Sequence, residues 1–568
     1  MKFQYQILKN TKILLIIIIQ IIFHHNSIIA QTYGKNGMVV SDNVVASEVG
    51  KEILKKGGNA IDASIATAFA LAVTHPQAGN IGGGGFLVFM DSSGKSTTID
   101  FREKAPILSN PNMFLDEKGK LIKNSNHNGL KSVGVPGTVA GLYLAHQKYG
   151  KLNWKELVQP AVKLANNGVK LSWTLAEHAK KINSSTKPEF LKNYFKDSKG
   201  VLTQFDELWV QKKLANTLKL IRDHGKDGFY KGYVAREIVS YMKANGGIIT
   251  LEDLNKYEAK ERKPIKGSYK EYEIIAMPPP SSGGVALIEM LNIMEQSNLN
   301  MHQFNSTEYV HLLAETMRRT YADRAEHLGD PDFNLEMPLH KLTSKEFAKM
   351  RYKNIDLNKA SKSDNSKFGQ IYDGKNTTHF SVIDKNGNAV SLTYTLEQSY
   401  GSGMGSKKLG FIFNNEMGDF NPQPGFTNNG WLIGTKPNTI QPEKRMLSSM
   451  SPTIVTKNGK PYLIIGSPGG RTIINTVFQT ILNVIEYEMP LKKAIESMKI
   501  HHQWMPDQLI YENDLMSPDT KLKLENMGHI LKGRNNLGRL MGILCPTNSS
   551  IYIGVSDSSS PDGGAIGY

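Results

Sequence analysis

The chain has 568 residues, 40% of them hydrophobic and 21% charged, a balance that belongs to a globular protein with a large core and excludes a low-complexity or solenoid chain. Its formal charge of +16 is carried by lysines scattered through an Asn-, Ile- and Lys-rich sequence rather than gathered in a stripe, so nucleic acid is not an expected partner. A single cysteine, Cys545 in the apolar stretch LMGILCP, excludes an intramolecular disulfide framework and a multi-cysteine metal site, and reads as a buried structural thiol.

In chain order, residues 1–30 read as an export signal: Lys2, Lys9 and Lys12 precede an apolar run from Ile13 to Phe23, with a cleavage site after Ala30. The run is short for a bilayer span, and retention as a membrane anchor is the alternative. Export to the periplasm or the extracellular space follows from the signal. Next, SEVGKEILKK predicts an amphipathic helix capped by Ser47 and ended by Gly57-Gly58. A nearly all-apolar helix then begins near Asn59 and must be buried. It leads into NIGGGGFLVFM, where the glycines precede a strand ending near Met90; a dinucleotide loop needs the opposite order, strand before glycines and helix after. The middle of the chain is largely helical, through KLNWKELVQPAVKLANNGV and STEYVHLLAETMRRTYADRAEHL, the latter with Glu315 and Arg319 as an i,i+4 pair on a solvated face. Residues Lys362 to Lys375 form a polar, glycine-containing loop.

Strands return after that loop. In TTHFSVIDKNGNAVSLTYTLE two alternating runs flank Asn386-Gly387, a hairpin. A two-residue turn places Thr377 opposite Leu396 and a three-residue bulged turn places it opposite Thr395; either way Thr377 and Thr395 end close together. Threonine also simply suits strands and cross-strand pairs. Further strands are expected in LGFIFNNE and SPTIVTKNGKPYLIIGSPGG, then a long helix RTIINTVFQTILNVIEY and β-branched closing segments, a layered sheet-and-helix fold. The adjacent pairs His24-His25 and His501-His502 lack the spacing of metal ligands, and no metal is expected.

Three segments carry chemistry beside the hairpin. Gly469 and Gly470 lie between a buried strand and a helix start, where backbone N–H groups and the helix dipole can stabilise an oxyanion. NNEMGDF offers Glu416 and Asp419 in a polar turn, and KRMLSSMSPT offers Ser448 and Ser449 before a strand. Acids for an ammonium, hydroxyls for a carboxylate and amides for an oxyanion fit an amino-acid-like acyl substrate.

Over nearly the whole chain after the signal, the sequence resembles the γ-glutamyltranspeptidase family. The matching segments run in order: ASEVGKEILKKGGNAIDA, GNIGGGGF, DFREKAP, GVPGTVAGL, MPPPSSGG, TTHFSVID, NNEMGDF, KRMLSSMSPTIV, GSPGGRTII, HHQWMPD and GGAIGY. The resemblance implies an α+β fold, the four-layer αββα sandwich of N-terminal-nucleophile hydrolases, formed jointly by two subunits cut from one precursor. The chain would divide into a signal of 1–30, a large subunit of 31–376 and a small catalytic subunit of 377–568, the two subunits forming a heterodimer. It further implies self-cleavage between Asn376 and Thr377, with Thr377 as nucleophile both of that cleavage and of turnover, Thr395 supporting its hydroxyl, and Gly469 and Gly470 forming the oxyanion hole. Arg102, Ser448 and Ser449 would bind the substrate α-carboxylate, and Glu397, Glu416 and Asp419 its α-amino group.

The family transfers γ-glutamyl groups from glutathione and related compounds to water or to amino acid and dipeptide acceptors, without a cofactor. The stretch between Asp419 and Ser448 is long enough for the lid found over the donor pocket in many members, with Trp431 as candidate gate. Position 397 is Glu where many relatives have Asn, and Gly418 replaces a frequent Asp; both variants occur in the family and bear on fine specificity. The alternatives are a glutaryl-type acylase or a poly-γ-glutamate hydrolase or transpeptidase of the same fold, and, from another class, an inactive envelope binding protein.

Overall fold

A computed structural model describes residues 31–363, 377–426, 435–513 and 515–568. Asn376, Trp431 and most of the loop from Lys362 to Lys375 lie outside the described residues, as does the segment 1–30. Two seven-stranded sheets lie face to face. The first runs, in spatial order, Gly564–Gly567, Gly37–Ser41, Thr377–Asp384, Ala389–Thr395, Gly84–Met90, Ser96–Phe101 and Lys260–Arg262, every neighbour antiparallel. The second runs Gln31–Gly34, Tyr552–Ser556, Met541–Leu544, Lys460–Gly466, Thr453–Lys457, Tyr272–Ala276 and Ile265–Tyr269. Helices Val44–Lys55 and Ala60–Thr74 cover the first sheet, and Gly283–Met294 and Thr472–Ile485 cover the second. This is the αββα sandwich expected from the sequence. Both sheets contain strands from before and after position 376, so backbone ladders tie the two parts of the chain together.

The local sequence explains the outer layer. Every residue of helix Ala60–Thr74 is buried, and Asn59 and Asp62 close its N-terminus as a capping box. The preceding helix starts earlier than Ser47: Asn43 is the cap, its side chain accepting from Val45 N and Ala46 N. Ser47 is buried instead, donating to Gly564 O at 2.8 Å across to the edge strand. The Glu315–Arg319 pair forms, Nη1 to Oε2 at 2.6 Å, but it is not on a solvated face. Glu315 is fully buried and also accepts from Ser361 N at 3.1 Å. LGFIFNNE forms no strand; Phe413 N donates to Met404 O and Asn414 N to Gly82 O, irregular partners that hold the segment extended beneath the site.

The two central strands meet the chain's chemistry through their inner face. Phe380, Val382, Val390, Leu392 and Tyr394 point into the helix-side core. The alternate positions face the other sheet and are polar: His379 Nδ1 bonds Thr393 Oγ1 at 2.8 Å, and Ser391 Oγ donates to Ile465 O at 3.0 Å while accepting from Thr453 N. Burial pushes His379 down to about 3, so it is neutral. Thr377 and Thr395 are the open end of this stripe.

Candidate active site

The hairpin settles its own register. Thr377 pairs with Thr395 and Ile383 with Ala389. Asp384 N donates to Asn388 O beyond that pair, which leaves a three-residue turn, 385–387, in which Gly387 adopts φ +86° and donates to Asp384 O. The Thr377 and Thr395 hydroxyl oxygens are 3.4 Å apart. Thr395 Oγ1 accepts the Glu397 N–H at 2.8 Å, and Asn80 Nδ2 donates to Thr395 O at 2.9 Å. The glycine run serves this strand end: a Cβ on Gly83 would stand 2.0 Å from Thr395 O. The run is thus a close backbone approach beside the hairpin.

Of the residues singled out by the sequence, Thr377, Thr395, Arg102, Glu397, Glu416, Asp419, Ser448, Ser449 and Gly470 line one pocket. Gly469 stands behind Gly470. The two glycines have φ +140° and +62°, left-handed values at which a side chain is strained, and they turn the chain from strand Lys460–Gly466 into helix Thr472–Ile485. The start of that helix faces the pocket through Gly470, Arg471 and Ile473.

One cation sits among acids. Arg102 Nη1 is 2.6 Å from Glu416 Oε2 and 3.5 Å from Glu103 Oε2, Nη2 pairs with Asp419, and Nε donates to Met446 O at 3.2 Å. Burial opposes its charge, but Glu416, Asp419 and Glu103 outweigh it and hold the guanidinium firmly protonated. The acids are crowded: burial raises Glu103 to about 8 against the pull of Arg102. Burial and the charges of Glu103, Asp419 and Glu397 likewise push Glu416 well above the usual carboxylate range. A ligand cation placed here would relieve that crowding. Across the pocket Arg324 donates from Nη2 to Ser449 Oγ at 3.0 Å and from Nε to Ser282 Oγ at 2.7 Å. Arg102 has its nitrogens engaged by protein groups, and Arg324 is a second buried arginine lining the pocket.

Sequence reasoning did not find Arg324, Arg471, Glu103 or His127. Arg324 lies five residues beyond Arg319, on the same helix as the Glu315–Arg319 pair expected on a solvated face, and the packing of helix Thr307–His327 turns it inward. His127 comes from an Asn-rich loop and reaches Glu397 at 3.4 Å. His501 and His502 are engaged structurally, by Asn475 and Gln503 and by Asp507 and the Trp504 N–H respectively. Cys545 is buried and its thiol is raised to about 12, an inert group.

The family model for gamma-glutamyltranspeptidase matches residues 46–568. The chain belongs to the γ-glutamyltranspeptidase family. It is 44% identical over 538 residues, 94% of this chain and 92% of the relative, to the glutathione hydrolase proenzyme of Escherichia coli (strain K12). It is 46% identical to the γ-glutamyltranspeptidase of Helicobacter pylori, a solved structure superposed at TM-score 0.54 over 56% of this chain and 91% of that one. A cephalosporin acylase from Bacillus halodurans superposes at TM-score 0.82 over 95% of this chain and 97% of that one; at 24% identity it speaks for the fold alone. As in other γ-glutamyltranspeptidases, that fold is the N-terminal-nucleophile hydrolase sandwich.

Proposed function

We propose that the chain is a self-processing enzyme that moves γ-glutamyl groups from glutathione and related compounds to water or to amino acid and peptide acceptors, through an ester on Thr377. The observation that carries this is the placement of the Thr377 hydroxyl, beside that of Thr395, at the end of a pocket whose walls hold carboxylates on one side and arginine with serine hydroxyls on another.

In maturation the Thr377 hydroxyl attacks the Asn376 carbonyl carbon, the acyl group shifts from nitrogen to oxygen, and water hydrolyses the ester. Subunits of 31–376 and 377–568 result and stay together as a heterodimer through the shared ladders. The new α-amino group titrates near pH 8 and can take a hydroxyl proton, which a threonine within a chain has no base to do. In turnover that amine accepts the Thr377 proton as Oγ1 attacks the donor γ-carbonyl carbon. The oxyanion forms against the Gly469–Gly470 turn, and the proton passes to the departing amine. Water or an acceptor amine then attacks the ester and frees Thr377. Export through the 1–30 segment would place this chemistry in the periplasm or outside the cell.

Mass spectrometry of the purified protein tests the reading. Two fragments are expected without added protease, the smaller beginning at Thr377; a single intact chain would favour a binding protein. Gly470→Ala tests the oxyanion turn. A methyl at φ +62° strains the loop and displaces its donors, and loss of one such donor lowers turnover by about 10²–10³. A variant that processes normally is expected to show a fall in kcat toward that range in steady-state assays; parental turnover would remove the turn from the mechanism.

A further inference from the structure

Two pocket-lining residues, Glu397 and Gly418, meet at one side chain. His127 Nδ1 lies 3.4 Å from Glu397 Oε2, with side-chain exposures of 3% and 2%. A Cβ on Gly418 would stand 2.2 Å from His127 Nδ1 and 2.3 Å from Cε1. The imidazole therefore occupies the volume that any side chain at 418 would need. The loop is fixed there by its own backbone, His127 O accepting from Asn415 Nδ2 at 3.1 Å.

Glu397 has little freedom of its own. Its backbone is at φ +77°, and its N–H is spent on Thr395 Oγ1. While Oε2 faces His127, Oε1 is buried without a hydrogen-bond partner, on a residue that lines the pocket. An unmet carboxylate oxygen in a pocket wall asks for a donor from the ligand. We propose that His127 is a positioning residue for donor recognition, holding Glu397 ionised and aimed at the donor's α-ammonium in the space that Gly418 leaves open. This rests on the γ-glutamyl reading given above.

The surrounding charges agree with this assignment. Around His127 stand Glu397 from the strand end, Asp419 from the following turn and Arg471 from the glycine turn; Arg102 and Glu416 stand beyond them. Burial works against a charged imidazole, but Glu397, through charge and hydrogen bond, and Asp419 hold it above its usual value against Arg471. Burial raises Glu397, and His127 is the leading pull in the other direction. Without that cation Glu397 faces Asp419 and Glu416, its carboxyl is pushed further above the usual carboxylate range, and it receives an ammonium less well.

The experiment compares γ-glutamyl anilide and glutaryl anilide with the processed enzyme, self-cleavage reporting that each variant folds. His127→Ala is expected to raise KM for the γ-glutamyl anilide about tenfold or more, with kcat nearly unchanged. It should also erode the preference over the glutaryl compound. In that variant KM should fall as pH rises above the usual carboxylate range, because a buried carboxyl without its cation ionises late. His127→Asn, which keeps a hydrogen-bond donor near the place of Nδ1 but not the charge, should restore only part of the affinity and should keep the pH dependence of His127→Ala. Gly418→Ala should reproduce the His127→Ala defect by displacing the ring, and should add nothing in the His127→Ala background. An unchanged KM in His127→Ala, or a full additive penalty in the double variant, overturns the proposal. If His127→Ala fails to process, His127→Asn and Gly418→Ala decide the matter on the same readouts. A parental enzyme that cleaves both anilides equally well brings down the γ-glutamyl reading itself, and this inference with it, before any variant is compared.

Discussion

Thr377→Ala should leave the chain in one piece and without measurable turnover. Both effects follow from a single atom, because the hydroxyl that opens the 376–377 bond is the one that accepts the acyl group afterwards. The residue is 4% exposed and sits at the start of a strand, paired with Thr395 across the hairpin. Loss of an essential nucleophile lowers turnover on the order of 10⁶-fold, and here the unreleased amine removes the base as well. The fold should survive. Removal of a hydroxyl and a methyl at a strand end is a small change beside two seven-stranded sheets, and the thermal midpoint should move by only a few degrees. Thr377→Ser keeps the oxygen and should still cleave and retain part of the activity. Electrophoresis under denaturing conditions separates these outcomes within a day of purification. A Thr377→Ala chain that still splits at this bond would show that another group performs the attack, and the assignment of Thr377 would have to be given up.

Where the sequence spoke clearly, the governing physics was local. Asn386-Gly387 between alternating runs defines a hairpin because only a few turns reverse a twisted ladder, and Gly387 does adopt the positive φ such a turn needs. The all-apolar run after Asn59 had to be covered, and it is the fully buried helix against the central strands. Local signals failed where partners come from far along the chain. Ser47 has the chemistry of a cap, yet the edge strand that begins at Gly564 claims its hydroxyl and Asn43 caps instead. LGFIFNNE has the composition of a strand, but its backbone groups are taken by Gly82 and residues 402–404 in no ladder. Glu315 and Arg319 satisfy the helical spacing rule, which says nothing about whether the face is wet. The site divides along the same line. Motif resemblance brought its acids, hydroxyls and Gly470 to one pocket, whereas Arg324 enters it and His127 reaches Glu397 through tertiary packing that no spacing in their own segments announces.

A donor that lacks the α-amine should be a far poorer substrate than its γ-glutamyl counterpart. Glu397, Glu416 and Asp419 reach the pocket while Arg102 is the cation held among them, with Glu103 behind, raised to about 8 by burial. An ammonium placed between these carboxylates brings the missing positive charge; a glutaryl chain of the same length brings only methylene and leaves them desolvated and opposed. Loss of one partner from a buried charge pair costs about 2–5 kcal/mol, roughly 30-fold to several thousand-fold in binding or rate. The ratio of kcat/KM for γ-glutamyl anilide over glutaryl anilide should fall in that range. Asp419→Ala should lower both the ratio and the activity, since it removes an acceptor for the ammonium and releases the Arg102 Nη2 contact. Glu397 should matter less than Asp419, because its buried neighbour His127 already answers part of its charge. Both acyl chains carry the terminal carboxylate that would face the arginine side of the pocket, Arg324 with Ser449, so the comparison isolates the amine. Comparable kcat/KM values for the two anilides would mean that the carboxylates do not read an amine at all, and would move this chain from γ-glutamyl transfer to the acylases that share its sandwich.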